Sequence, residues 1–275
     1  MSTNKFINSA KKTIGIQADS IASLSNQIDK SFAEIAKKVS LIKGKLIVMG
    51  VGKSGHVGQK VSATLASTGT PSFFIHPTEA AHGDLGMIAK DDAVLIFSNS
   101  GETKEVTAIL PALKRMTSDI FSITGNANSS IAKASSVHLK VQVEKEACPH
   151  DLAPTSSTTA SMVIGDALAI SLIEEKNFSS EDFAKSHPAG ELGKKLTTYV
   201  GDLAISGNKV SCVEIDASIK DTIIEITSKK LGMALVVKDE EVVGIFTDGD
   251  LRRALNQEID IENNSVSSVM TKKFI

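Results

Sequence analysis

The chain has 275 residues and a formal net charge of −2 at pH 7, with 41% hydrophobic and 23% charged residues. This length predicts one large domain plus a smaller one, and no apolar run approaches the ~18 residues that a membrane span requires. The near-neutral charge, the single tyrosine and the lack of tryptophan disfavour a nucleic-acid-binding surface, so a small molecule is the expected partner.

The N-terminus and the cysteines indicate a cytoplasmic protein. Residues 1–12, MSTNKFINSAKK, carry charge but lack the apolar stretch of a signal peptide. Cys148 and Cys212 lie far apart in the sequence and give no disulfide framework, which is typical of a reducing compartment.

The apolar pattern of the first 190 residues predicts an α/β unit. Apolar side chains recur at helical spacing over residues 8–43, with one break allowed, and again over residues 158–176, before a shorter helix at 180–186. Five strands are predicted at residues 45–49, 72–75, 93–97, 119–123 and 137–143, and those at 45–49 and 93–97 are predicted to be buried. Because helical segments lie between most of these strands, the sequence predicts a parallel sheet flanked by helices.

A glycine-rich sequence, GVGKSG, follows the first predicted strand at residues 50–55. It satisfies the G-x-G-x-x-G pattern, but the second strand ends at IHP, residues 75–77, without the acid that a dinucleotide site needs. A Walker A loop fails as well, because its first glycine would fall at Ile47, inside the strand. Lys53 is therefore interpreted as a cation of a ligand site.

The most informative segment is AVLIFSNSGETKE, residues 93–105, in which a buried strand runs into a loop of hydroxyls before a helix. Ser98, Ser100 and Thr103 lie beside the unpaired N–H groups of that helix start, an arrangement that suits a phosphate dianion. The loop holds no lysine, so neutral donors would do most of the binding. The alternative is that Ser100 or Thr103 only caps the helix.

Four titratable residues lie in loops or at helix starts, where ligand clefts of α/β proteins form. They are His82, Glu105, Glu146 and His187. The alternative for each is a solvated surface charge or a structural histidine. Cys148 and His150 are two residues apart, but without a second pair of ligands they do not predict a metal site.

From about residue 195 the pattern changes to short strands, which marks the candidate domain boundary. Helices are predicted at residues 219–228 and 248–255, with a hairpin of strands 233–237 and 242–246 between them. The resulting β-α-β-β-α order predicts a small α+β module.

Six segments together resemble the sugar isomerase (SIS) domain of D-arabinose 5-phosphate isomerases. They are GVGKSGHVGQK, STGTPSFFIHPTEAAHGDLGMI, SNSGETKE, KEACP, LAPTSSTT and FAKSHPAGELGKKL, within residues 50–196. Further on, GIFTDGDLRR at residues 244–253 resembles the end of a cystathionine-β-synthase-type (CBS) repeat, in which Thr247 and Asp250 would hold the phosphate and ribose of a nucleotide. The resemblance implies an SIS domain with N-terminal helices at 1–196, a CBS-like repeat at 197–265, and at 266–275 the start of a truncated second repeat.

The resemblance also implies a fold and an activity. The fold is an SIS-type three-layer sandwich with a five-stranded parallel sheet, followed by the small α+β module. The activity is that of an aldose-ketose isomerase that interconverts D-ribulose 5-phosphate and D-arabinose 5-phosphate and supplies Kdo biosynthesis for lipopolysaccharide or capsule. Such a reaction requires a phosphate cradle, a base and stabilisation of an enediolate, and we expect no cofactor and no metal.

The family's site residues map onto positions already singled out. The expected catalytic residues are Lys53, His82, Glu105, Glu146 and His187, and the expected phosphate-binding residues are Ser54, Ser98, Ser100, Thr103 and Ser156. We favour Glu146 as the proton-shuttling base, His187 for opening of the sugar ring and Lys53 for stabilising oxyanion charge. Glu105 would bind sugar hydroxyls or be the alternative base.

The resemblance further predicts the partners. SIS domains generally pair, so we expect a dimer or tetramer with the site at the subunit interface, where His82 or His187 would act from a neighbouring chain. The CBS-like repeat suggests an adenine nucleotide or nucleotide-sugar effector, bound weakly by half a site, and residues 200–275 are expected to pair with another subunit or stay loosely folded. Two alternative functions are a non-catalytic SIS-type sugar-phosphate sensor and a dinucleotide-dependent oxidoreductase.

Overall fold

The computed structural model describes residues 3–187, 194–196 and 198–273. The chain divides into two compact units, Met1–Thr197 and Thr198–Ile275. In the first unit the predicted N-terminal helix begins earlier and is two helices, α1 (Thr3–Leu24) and α2 (Lys30–Leu41). Asp29 separates them, because its carboxylate accepts a hydrogen bond from the N–H of Ser31 and so caps α2.

Five parallel strands form the sheet of the first unit, which confirms the predicted fold class. They are β1 (Leu46–Met49), β2 (Ser72–Phe74), β3 (Ala93–Phe97), β4 (Ile120–Thr124) and β5 (Val137–Lys140), in the order β2-β1-β3-β4-β5. Every residue of β1, β3 and β4 is buried. Strands buried along their whole length are typical of a parallel sheet covered on both faces.

Helices cover the two faces of this sheet and make three layers. On one face lie α2, α3 (Lys53–Ser67) and α7 (Ser156–Lys176), which share a core cluster with alternate strand residues such as Leu46 and Leu95. On the other face α5 (Lys104–Met116) packs with the intervening strand residues. Shorter helices of this unit are α4 (Pro77–Ala81), α6 (Ser130–Ala134) and α8 (Ser180–Ser186), and a 3₁₀ turn covers Asp84–Met87.

Helix α7 is long and apolar enough, by length and composition, to span a membrane. It carries charged residues, such as Asp166 and Lys176, and its apolar runs are short. Ile164, Leu168 and Leu172 are buried in the core cluster against the sheet. Core helices of soluble proteins pass the same test of length and composition, and α7 has that position here.

The second unit is a three-stranded sheet with helices, as expected for the predicted α+β module. Strand β6 (Cys212–Glu214) runs parallel to β7 (Met233–Lys238), which pairs antiparallel with β8 (Glu241–Thr247). Asp239 and Glu240 both have positive φ, 51° and 66°, which fits a two-residue hairpin turn. The helices of this unit are α9 (Val200–Leu203), α10 (Ile219–Lys229) and α11 (Asp248–Asn256).

Residues 266–271 pack into the core of the second unit. Val266 is fully buried beside Ile219 and Phe246. Thr271 and Ile245 exchange two backbone hydrogen bonds of 2.8 and 3.0 Å, and a Cβ on Gly244 would lie 2.5 Å from the Sδ of Met270. This segment therefore covers β8 within its own unit, whereas the second repeat expected from residue 266 stays a prediction.

Candidate active site

The candidate site lies at the carboxyl end of the sheet, between β1 and β3. The helix after β1 packs on one face of the sheet and the helix after β3 packs on the other. The two loops therefore diverge and leave a crevice, which is where open α/β sheets bind ligands. A cavity of about 190 Å³ opens here. Its polar lining comes from Lys53, Ser54, Asn99, Ser157, Thr158 and Ser161.

The glycine-rich loop brings Lys53 and Ser54 to this cavity. A Cβ on Gly50 would lie 2.7 Å from the backbone oxygen of Ser54, so the strand can approach the helix this closely only with glycine at that position. Gly52 has φ 59°, a left-handed conformation that glycine adopts without strain. Lys53 then begins α3 as an exposed cation on the cavity wall.

The hydroxyl loop after β3 is held by bonds within itself. Ser98 is only 3% exposed, and its Oγ pairs with Oγ1 of Thr103 at 2.8 Å and accepts from the N–H of Gly101 at 3.0 Å. Thr103 stands at the N-cap of α5, but its hydroxyl makes no capping bond. Ser100 is exposed and accepts from the N–H of Glu102 at 3.2 Å. Phosphate binding by this loop remains a prediction.

Glu146 is the most firmly held of the predicted catalytic residues. Its Oε2 accepts from the N–H and the hydroxyl of Thr155 at 2.7 and 3.0 Å and from the N–H of Ser157 at 3.3 Å. Its Oε1 accepts from the hydroxyl of Ser157. All four donors belong to the start of α7, so the carboxylate also caps that helix.

The environment of Glu146 keeps its side chain ionised. Burial raises the pKa of this carboxyl, but the hydrogen bonds from Ser157 and Thr155 together lower it by more, and the resulting pKa lies below its usual value. A second cavity of about 520 Å³ reaches Glu146 from the side of α1, between Lys12 and Cys148. Backbone N–H groups of Ala153, Leu152 and His150 lower the pKa of the Cys148 thiol.

Of the predicted catalytic residues that the structure describes, Lys53 lines the 190 Å³ cavity, and Glu146 is linked to it through Ser157. His82 is exposed at the end of α4, and Glu105 is exposed in the first turn of α5. His187 stacks on the ring of Phe183 at 4.0 Å, and its Nδ1 lies 3.0 Å from the backbone oxygen of Phe183. One chain therefore brings together Lys53, Ser54 and, through Ser157, Glu146.

Ser156, predicted to bind phosphate, is fully buried, and its Oγ has no partner among the described residues. The neighbouring Ser157 lines the cavity instead. Sequence reasoning singled out neither Asn99 nor Thr155, although both stand within the segments SNSGETKE and LAPTSSTT. A hydroxyl-rich segment before a long apolar helix was the available signal for Thr155 and Ser157.

Metal ligands do not cluster in the described residues: no group of three or more His, Cys, Asp or Glu side chains there could hold an ion. In the second unit, Thr247 and Asp250 form a capping box at the start of α11. Asp250 also accepts from the hydroxyl of Thr271 at 2.8 Å and from Arg253. Its carboxylate is 2% exposed and bonded at both oxygens, so the predicted ligand role competes with internal bonds.

Both units of the chain are similar to known protein families. Residues 42–171 match the SIS domain family and residues 200–257 match the CBS domain family. The chain is 50% identical to the arabinose 5-phosphate isomerase KdsD of Pseudomonas aeruginosa and 49% identical to that of Escherichia coli K12, each over 97% of this chain and 82% or 81% of the relative. A solved structure of an E. coli CFT073 protein in complex with arabinose 5-phosphate is 42% identical, with a TM-score of 0.66 over 68% of this chain and all of that one.

Proposed function

This chain belongs to the arabinose 5-phosphate isomerase family, and we propose on that basis that it interconverts D-ribulose 5-phosphate and D-arabinose 5-phosphate. The observation that carries the proposal is the crevice at the carboxyl end of the sheet, where Lys53, Ser54 and Ser157 line a cavity and the hydroxyl of Ser157 donates to a fixed, ionised Glu146. The product would supply Kdo biosynthesis in the cytoplasm.

The reaction moves one proton between C1 and C2 of a phosphate-anchored sugar through an enediolate. A carboxylate held in one place can accept this proton and return it, because orientation removes much of the entropic cost. Glu146 is the better candidate for this base, since four hydrogen bonds fix it beside the cavity while Glu105 is exposed on α5. Lys53 would stabilise the developing oxyanion.

The phosphate would be held by the hydroxyl loop and the helix start behind it. Ser98 and Thr103 pin each other, which leaves the exposed Ser100 as the hydroxyl of the loop most available to a ligand. Ser54 lies on the opposite wall, at the start of α3. Two helix N-termini thus flank the crevice, and their dipoles favour an anion.

We further propose that a neighbouring subunit completes the site. His82, Glu105 and His187 lie outside the cavity lining of one chain, as expected if some of them serve a second copy. Exposed apolar side chains on α1 and α7, among them Ile14 (67% exposed) and Ile170 (52%), offer a surface for self-association into a dimer or tetramer. The second unit would then bind a nucleotide or nucleotide-sugar effector weakly, because Asp250 is already bonded internally.

The test is an assay of the purified chain with ribulose 5-phosphate, in which arabinose 5-phosphate is followed by NMR with and without EDTA. We expect turnover in both conditions, because carboxylates and hydroxyls suffice for the proton transfer. Activity that EDTA removes and zinc restores would overturn the metal-free part of the proposal. Tight sugar-phosphate binding without turnover would favour the SIS-type sensor instead.

A further inference from the structure

Thr155 joins the loop that carries Glu146 to the first turn of α7. We propose that Thr155 is the positioning residue for Glu146: its hydroxyl holds one carboxylate oxygen in place and leaves the other, on the side of Ser157, for the substrate. The inference rests on the proposed isomerase function and assigns a role to a side chain that the family resemblance does not single out.

The hydroxyl of Thr155 bonds both the side chain and the backbone of the segment that holds Glu146. It donates to Oε2 of Glu146 at 3.0 Å and accepts from the N–H of Ala147 at 2.9 Å. The N–H of Thr155 donates to the same Oε2 at 2.7 Å. Because Ala147 directly follows Glu146, these bonds fix the glutamate at its backbone and at its carboxylate together.

The two oxygens of Glu146 are bonded unequally. Oε2 receives three hydrogen bonds, from Thr155 twice and from the N–H of Ser157, whereas Oε1 receives one bond within the described residues, from the hydroxyl of Ser157. A carboxylate has about four acceptor sites in total. Oε2 is therefore saturated, and Oε1 keeps the lone pair that a substrate proton needs.

Thr155 and Ser157 differ in what they can touch. Ser157 lines the 190 Å³ cavity, so its hydroxyl can meet the substrate directly. Thr155 is half-buried and, like Glu146, lies outside that lining. Its hydroxyl bonds to Glu146 and to the N–H of Ala147, so its effect on the reaction passes through the segment that carries Glu146.

Thr155→Val removes the hydroxyl and keeps the shape of the side chain. We expect kcat to fall about tenfold with little change in KM, because a loosened base is misplaced in the transition state while substrate binding persists. The loss of one donor raises the pKa of Glu146, so the acidic limb of the kcat profile should move to higher pH. Thr155→Ser restores the hydroxyl and should restore both values.

Thr64→Val is the matched control. The Thr64 hydroxyl donates to the backbone oxygen of Lys60 at 3.1 Å, within α3 and away from Glu146. The same loss of a hydroxyl there should leave kcat and the pH profile unchanged. Circular dichroism of all three variants verifies that they are folded.

A titration of the Glu146 carboxyl in the full chain, by NMR of ¹³C-labelled glutamate and assigned with Glu146→Gln, separates this inference from the proposed function. If the wild type does not isomerise ribulose 5-phosphate, the proposed function fails, and the titration still decides whether Thr155 positions Glu146. A higher pKa in Thr155→Val, reversed in Thr155→Ser, supports the inference. An unchanged pKa overturns it, as does a raised pKa with unchanged kcat in an active enzyme, or a Thr155→Ser variant as impaired as Thr155→Val.

Discussion

Glu146 in the first unit and Asp250 in the second are both carboxylates held at the start of a helix. Glu146 is linked through Ser157 to the crevice of the parallel sheet, whereas Asp250 is enclosed by its own unit. Each accepts hydrogen bonds from a threonine hydroxyl and from backbone N–H groups, and in each the pKa is lowered by these bonds against the opposing effect of burial. Asp250 is 2% exposed and bonded at both oxygens by its own unit. Glu146 is half-buried, and its Oε1 has a single bond among the described residues.

The difference shows that a position at a helix cap does not by itself place a carboxylate at a ligand crevice. Asp250 stands three residues after the threonine it pairs with, so a single helix turn provides the whole arrangement. Glu146 reaches its helix from a separate loop, nine residues before Thr155. That loop lies beside the crevice of the parallel sheet, where a ligand can enter. The role proposed for Glu146 therefore rests on the place of its carboxylate in the fold, more than on its local bonds.

We expect the largest loss of activity for Glu146→Gln. This change keeps the shape of the side chain but removes the proton acceptor, so kcat should fall about 10²-fold or more with little change in KM. Glu174→Gln, on the exposed part of α7, is the control and should retain activity. Steady-state kinetics distinguish the alternatives, because an unaffected Glu146→Gln together with an inactive Glu105→Gln would assign the base to Glu105.

Asp250→Ala should affect stability and leave catalysis intact. It leaves the N–H of Thr247 and the hydroxyl of Thr271, both half-buried, without their partner, which we expect to lower the free energy of unfolding of the second unit by about 2 kcal/mol. Urea denaturation measures this change, and Asp248→Ala, an exposed acid of the same turn, should be nearly neutral. If Asp250→Ala abolished isomerisation while the protein stayed folded, Asp250 would be needed for catalysis and its role would not be limited to stability.

Ser100→Ala tests the hydroxyl loop on the other wall of the crevice. Phosphate is held alike in the ground and transition states, so the loss of this donor should raise KM about tenfold and change kcat little. Ser40→Ala removes an exposed hydroxyl of α2 and serves as the control. A fall in kcat at constant KM would indicate that Ser100 acts on the reacting carbons and not on the phosphate.

The pH dependence of stability should show the smallest effect. The pKa values of Glu146 and Asp250 are lowered on folding from 4.5 and 3.8, so both groups stabilise the fold above those values, and this stabilisation is lost as the pH falls through the folded pKa values. Urea midpoints measured from pH 6 to pH 3 should therefore decrease below about pH 4.5. Glu146→Gln and Asp250→Asn should each flatten the decrease, and a slope unchanged by both would contradict this assignment.

The sequence predicts the central strands of the sheet best, because these strands are buried on both faces. The continuous apolar run at 93–97 marks a strand clearly, and the strand predicted at 119–123 is observed one residue further on, at Ile120–Thr124. The edge strand predicted at 137–143 ends at Lys140. The predicted helix over residues 8–43 is broken by a capped start at Lys30, which periodicity alone does not locate. The local sequence pattern thus predicts the existence of helices and strands better than it predicts their boundaries.

The hydroxyl loop is predictable from the sequence because its strand, loop and helix start are contiguous over residues 93–105. The bonds of Glu146 are not, because an irregular loop, which includes Asp151 at φ 55°, separates it from Thr155 and has no periodicity to interpret. The places of His82, Glu105 and His187 relative to the substrate depend on long-range packing that one sequence does not specify. Family resemblance named these residues, whereas the cavity lining identified Ser157 and Asn99.

Whether Glu146 transfers the proton is tested by running the reaction in D₂O and measuring deuterium at C2 of the arabinose 5-phosphate formed from ribulose 5-phosphate. A proton that passes through the carboxylate of Glu146 exchanges with solvent, so the wild type should place deuterium at C2, and Glu146→Gln should slow both isomerisation and deuterium incorporation about 10²-fold or more. A Glu146→Gln protein that isomerises and exchanges at the wild-type rate would contradict the account.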